Sequence, residues 1–140
     1  MSAKRTFVDA GFFVALSIET DQWHGVAGEW LKKTEEQDFA LVTTWAVLLE
    51  VGNSLSKRQF RASGAKLIAS ILRDPAFTVL PLNEAYLKKG LDLFSNRQDK
   101  DWSLTDCLSF LTMSDKGIAD ALTTDVHFEQ AGFRALLREK

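Results

Sequence analysis

Apolar and polar positions alternate along this chain in two rhythms. Short, nearly unbroken apolar runs fall at residues 6–8, 39–43, 77–80 and 121–123, with a weaker one at 133–137. Runs of that length suit strands buried on both faces of a parallel sheet. Between them, apolar residues recur every three or four positions, as in helices that bury one face. Over 23–33 the stripe is Trp23, Val26, Ala27, Trp30 and Leu31, and over 45–55 it runs through Leu48, Leu49 and Leu55. Leu67, Ile68, Ile71 and Leu72 repeat it before Asp74-Pro75 ends the helix, and Leu87, Leu91 and Phe94 line another. A last long helix is predicted over 104–114, closed by Gly117 in a left-handed cap with Ile118 packing back.

Strands that alternate with helices predict an α/β fold with a parallel sheet, because parallel neighbours need crossover connections. Right-handed crossovers bring each helix start to the carboxyl edge of that sheet, where open α/β folds keep their ligands. With 140 residues, 46% of them hydrophobic, the chain is the size of one ordinary domain spanning 1–140 and can bury a continuous core without staples. No repeat or Pro/Gly/Ser-rich linker divides it.

The remaining bulk properties narrow the setting. The single Cys107 cannot form an internal disulfide, which fits a reducing, cytoplasmic environment, and no Cys/His cluster suggests zinc. The run from Phe7 to Ile18 is broken by Asp9, so it reads as a strand followed by a helix start rather than a signal peptide. No apolar stretch is long enough to span a bilayer, so no membrane partner is expected. A net charge of −2 argues weakly against nucleic-acid binding, but two bound divalent ions would reverse its sign. Lys57-Arg58 with Arg61, Lys88-Lys89, and Arg97 with Lys100 offer local basic clusters that read first as solvated helix faces.

Against that frame four acids stand out. The first strand candidate runs into Asp9 and the fourth is followed by Asp125, which places both at the carboxyl edge. Asp106 falls in the first turn of the late helix, and Glu50 in the second turn of the helix that follows the second strand. Each has a plain structural reading. Asp106 follows Ser103 by three, the spacing of a capping box, and Asp125 and Asp9 can cap the helices begun at Val126 and at Gly11-Phe12-Phe13. Glu50 differs: it lies among Val47, Leu48, Leu49 and Val51, with no Lys or Arg within a turn, so its charge calls for a metal or a distant cation. Asn53, one turn on, and Thr123, two residues before Asp125, can support the carboxylates or a metal-bound water.

Oxygen-only donors select hard cations such as Mg²⁺ or Mn²⁺, which bridge phosphates and activate water. No Ser/His/Asp pattern suggests acyl transfer, and His24 and His127, the two histidines, read as surface or packing residues. Asp101 reads as an exposed loop acid. Haloacid-dehalogenase-like phosphatases need a second Asp two residues after the nucleophile, whereas Asp9 is followed by Ala10-Gly11. A response-regulator receiver needs an Asp ending the third strand, where this chain has Leu80-Pro81-Leu82.

Taken together, Phe7-Val8-Asp9-Ala10, Leu49-Glu50 with Asn53, Trp102-Ser103-Leu104-Thr105-Asp106-Cys107, and Thr123-Thr124-Asp125 before His127-Phe128 resemble the PIN-domain nucleases, and among them the VapC-type toxins of prokaryotic toxin–antitoxin pairs. The resemblance implies a single PIN-like domain with a twisted parallel sheet of four to five strands flanked by helices. It matches Asp9, Glu50, Asp106 and Asp125 to the family's acidic quartet as catalytic and metal-binding residues. It also implies Mg²⁺- or Mn²⁺-dependent cleavage of RNA, homodimerisation, and inhibition by a small cognate antitoxin over the cleft. In that reading Asp9, Asp106 and Asp125 hold ions and Glu50 holds a metal or positions the attacking water, leaving 5′-phosphate and 3′-hydroxyl ends. The alternative is a noncatalytic PIN-like module that binds RNA or protein.

Overall fold

The computed structural model describes residues 4–139. Phe7 and Val8 are fully buried in strand β1 (Arg5–Val8), which lies at the centre of a five-stranded sheet. On one side it pairs with β2 (Ala40–Thr44), and β2 pairs in turn with β3 (Phe77–Leu80). On the other it pairs with β4 (Asp120–Leu122), which carries the two-residue β5 (Arg134–Ala135) at the far edge. Every pairing is parallel and the order is β3-β2-β1-β4-β5. The sheet thus has the architecture expected from the alternating pattern. The 39–43 and 121–123 runs form strands displaced by one residue, and the weaker 133–137 run yields the two-residue edge strand Arg134–Ala135 followed by a 3-10 turn at Leu136–Arg138.

Because the chain grows outward in both directions from β1, the strand order reverses between β1 and β4. That reversal opens a crevice past the carboxyl ends of these two strands.

Helices α1 (Ala10–Ser17), α2 (His24–Glu36), α3 (Trp45–Ser54), α4 (Arg58–Arg73), α5 (Glu84–Asn96), α6 (Leu104–Lys116) and α7 (Val126–Gln130) surround the sheet. None among the described residues is long and apolar enough to cross a membrane. Helix α6 ends as its sequence predicts, with Gly117 at φ 65° and Ile118 donating its amide to the Met113 carbonyl at 2.8 Å. Cys107 is buried and unpaired.

Helix α5 departs from expectation. Leu87, Leu91 and Phe94, read as a core stripe, are exposed. The physical reason is Gly90: a Cβ there would lie 2.5 Å from Leu108 Cδ2, so α5 approaches α6 backbone-first at that point. This contact sets the roll of α5, turning Leu93 and the Tyr86 ring toward the body of the protein. The Tyr86 hydroxyl meets the Leu108 carbonyl and Thr112 Oγ1.

An aromatic chain braces the side of the sheet that carries the late acids. Phe7 packs on Phe128 at 6.3 Å, Phe128 on Phe110 at 4.9 Å, and Phe110 edge-on to Trp102 at 4.9 Å. Each such pair contributes roughly 0.5–1.5 kcal/mol beyond area burial. Trp102 Nε1 donates to Gln130 Oε1 at 3.0 Å, so the start of α6 and the end of α7 are fixed to one another.

Candidate active site

The site grows out of the crevice between β1 and β4. Asp9 ends β1 with its amide on the Leu122 carbonyl at 3.1 Å, and Thr43 Oγ1 holds the preceding Val8 carbonyl at 2.8 Å. The expected cap of α1 does not form through its side chain. Instead Thr123 Oγ1 donates to Asp9 Oδ2 at 2.8 Å and accepts the Asp125 amide at 3.0 Å. One hydroxyl, carried by the residue after β4, therefore links two acids from opposite ends of the sequence. Gly11 makes the close approach of α1 to this loop possible, since a Cβ at that position would lie 2.7 Å from Thr124 Oγ1.

Asp106 and Asp125 perform the capping roles read from sequence and also join the cluster. Ser103 and Asp106 form a reciprocal capping box at 2.9 and 3.1 Å, and Asp125 Oδ1 accepts the His127 amide at 2.8 Å. A cap occupies only part of a carboxylate's accepting capacity, so the two roles coexist. Thr44 caps α3 through the Val47 amide at 3.2 Å and sets the phase that brings Glu50 to the same cleft.

His127 is the residue that the sequence reading set aside. Its Nδ1 lies 2.9 Å from Asp106 Oδ2 and 3.3 Å from Asp125 Oδ1, and donor atoms of all three residues fall within 4.8 Å of one another. The signal was present: an Asp-x-His at a helix start lets the same carboxylate cap the backbone and meet the ring. His24, by contrast, is a packing residue, its Nδ1 2.7 Å from the Ala15 carbonyl. Asn53 is exposed, and among the described residues its side chain makes no hydrogen bond to the acids.

The electrostatics are those of clustered acids with one imidazole among them. Burial pushes the Asp9 carboxyl up to about 7; the Thr123 hydroxyl and Ala10 amide oppose this, while the charges of Asp106 and Glu50 add to it. Glu50 is raised by burial and then by Asp106 and Asp125. It is only half-buried, with Leu49 exposed beside it, so it sits at the mouth of the cleft rather than in the core expected from its neighbours. Asp106 is raised by burial against the His127 hydrogen bond, with Asp125 adding to the rise. Burial opposes a charge on His127, but its contact with Asp106 and the fields of Asp125, Asp106 and Asp101 outweigh it and raise the imidazole. Among the described residues no Lys or Arg forms an ion pair with any of the four acids. A donor set of carboxylates short of positive charge fits a divalent cation.

Residues 6–134 match the sequence profile of the PIN domain. The chain belongs to the PIN-domain family. Among curated proteins this PIN domain is similar to the 23S rRNA-specific endonuclease VapC20 of two Mycobacterium tuberculosis strains. The identity is 28% over 131 residues, covering 91% of this chain and 94% of the relative. Its fold is also similar to the crystal structure of M. tuberculosis VapC20, described as a Sarcin-Ricin loop cleaving toxin. The TM-score is 0.81 at 25% identity, over 93% of this chain and 97% of that one.

Proposed function

We propose that this PIN domain is a divalent-metal-dependent endoribonuclease and the toxin of a toxin–antitoxin pair, working in the cytoplasm. One observation carries the reading: acids from four separate segments gather at one crevice, burial and acidic neighbours raise the proton affinity of Asp9, Glu50 and Asp106, and none of the four has a Lys or Arg ion-pair partner among the described residues. The noncatalytic alternative gives that concentration of charge no purpose.

Asp9, Asp106 and Asp125 would hold Mg²⁺ or Mn²⁺, with Glu50 completing the set from the cleft mouth. When bound, such an ion lowers the pKa of water and offsets charge on the leaving oxygen. Thr123 keeps Asp9 and Asp125 in register through its shared hydroxyl. Glu50, half-exposed, is positioned to orient the attacking water and accept its proton. The water oxygen bonds to phosphorus as the P–O3′ bond breaks, so the products carry 5′-phosphate and 3′-hydroxyl ends.

Exposed Trp45, Leu49, Leu104 and Val126 lie on helices that carry the acids or are capped by one, which supports a small antitoxin covering the cleft. The exposed row Leu87, Leu91 and Phe94 on α5 supports a homodimer. The activities named for the mycobacterial relatives make ribosomal RNA the first substrate to try. Incubation of the protein with total RNA and with ribosomes, in Mg²⁺, Mn²⁺ or EDTA, is expected to give new 5′-phosphate ends only with metal. Asp106→Asn should give none. Ends bearing 2′,3′-cyclic phosphate would contradict attack by water.

A further inference from the structure

His127 lies in the acidic cleft without a role in the reading above. It is one of two histidines in the chain, and it supplies the one nitrogen donor in the group formed with Asp106 and Asp125. The distances are informative. An ion that binds its ligands at about 2.1 Å and at right angles holds adjacent donor atoms about 3 Å apart. Nδ1 is 2.9 Å from Asp106 Oδ2 and 3.3 Å from Asp125 Oδ1, so the nitrogen stands from each oxygen at the spacing of adjacent ligands in one coordination shell, and donor atoms of the three residues lie within 4.8 Å of one another. The imidazole is held there by its own backbone: the His127 amide donates to Asp125 Oδ1 at 2.8 Å, and the following Phe128 is fully buried against Phe7 and Phe110. An imidazole anchored in this way loses little freedom on ligation.

We infer that His127 is a ligand through Nδ1 to the ion held by Asp106 and Asp125, and that this nitrogen shifts the site's preference from Mg²⁺ toward Mn²⁺ and other transition ions. Imidazole is a good donor to transition ions and a poor one to Mg²⁺, which favours carboxylate, carbonyl and water. Coordination uses the Nδ1 lone pair, so the neutral bound ring carries its proton on Nε2. This inference rests on the metal-site part of the proposed function.

The test uses untagged full-length protein loaded with less than one equivalent of Mn²⁺, prepared with ¹⁴N- and with ¹⁵N-histidine and compared by pulsed electron paramagnetic resonance. A directly bound imidazole nitrogen is expected in the wild type and in His24→Gln, and absent in His127→Gln. Calorimetric titration should show His127→Gln weakening Mn²⁺ binding by roughly ten-fold or more, with a much smaller effect on Mg²⁺. The isotope comparison on the wild type needs no substitution, so a poorly folded variant does not blunt it. Mn²⁺ bound without nitrogen coupling, or coupling that survives His127→Gln, overturns the inference. If Asp106→Asn abolishes Mn²⁺ binding in that case, the acidic site stands and only the ligand role of His127 falls. If Asp106→Asn binds Mn²⁺ as the wild type does, both readings fall.

Discussion

The two edges of this sheet each bury an aspartate and treat it in opposite ways. At the amino edge Asp120, 7% exposed at the start of β4, receives Lys4 Nζ at 2.9 Å and the Arg134 guanidinium at 3.4 Å. Arg134 is shared in turn with Glu139 at 2.7 Å. At the carboxyl edge Asp9, 6% exposed at the end of β1, has only the Thr123 hydroxyl and the Ala10 amide to favour its charge and faces two further negative charges. Burial alone does not mark a functional carboxylate. What separates the two is the sign of their surroundings: Asp120 is paired with two cations, whereas Asp9 faces acids and has no Lys or Arg ion-pair partner among the described residues.

The largest expected effect breaks that comparison with metal. A ligand that binds only the native state at 100 times its Kd stabilises by about 2.7 kcal/mol, a shift of several degrees in a domain of this size. Mg²⁺ or Mn²⁺ is expected to raise the unfolding temperature of the wild type and of Asp120→Asn, but not of Asp106→Asn. Without metal the order differs. Asp120→Asn should be the least stable, by about 1–3 kcal/mol, because it removes the buried carboxylate that Lys4 and Arg134 share. Thermal melts in EDTA and in metal check both halves. Equal metal shifts in all three proteins would count against a shared site at the carboxyl edge.

A smaller effect sharpens the comparison through pH. The folded value of Asp9, about 7, lies above its ordinary 3.8, so between these limits the native state binds more protons than the unfolded chain. Stability of the metal-free protein therefore falls as pH rises from about 4 to about 7, and the full penalty is present above 7. Asp9→Asn removes the titrating group and should flatten this slope, leaving the variant more stable than the wild type at pH 8 by on the order of 1–3 kcal/mol. Urea denaturation in EDTA at pH 5 and pH 8 measures it. An unchanged slope in Asp9→Asn would show that the acid is not held as described.

Much of this contrast was legible in the sequence, for reasons that differ by residue. Asp9 and Asp125 follow apolar runs, and a strand's end in a parallel sheet fixes where the next side chains go. Asp106 and Gly117 carry local signatures, a capping box and a left-handed cap, which depend on backbone hydrogen bonds a few residues away. Residues whose environment comes from a distant segment were harder. His127 meets Asp106 because α6 and α7 are tied through Trp102 and Gln130, which no local spacing reveals. The roll of α5 depends on a contact at Gly90 that periodicity cannot phase, and Glu50 lies closer to solvent than its apolar neighbours imply. The Lys4–Asp120–Arg134 group needs β5 to pair with β4, and a two-residue strand leaves little pattern to read.

The smallest expected effect isolates the hydroxyl that stands in for a cation at Asp9. Thr123→Val keeps the shape of the side chain but removes the donor to Asp9 Oδ2 and the acceptor for the Asp125 amide. The loss should be about 1 kcal/mol in metal-free protein at neutral pH, as for a typical buried hydrogen bond. That hydroxyl holds the Asp9 carboxyl lower than burial alone would. Its removal should raise the carboxyl further and extend the downward slope of stability to pH values above 7. Carboxyl-carbon NMR titration of the wild type and Thr123→Val reads the shift directly. A midpoint that stays in place would mean that the hydroxyl serves the Asp125 amide alone, and that Asp9 depends on burial and its acidic neighbours for its state.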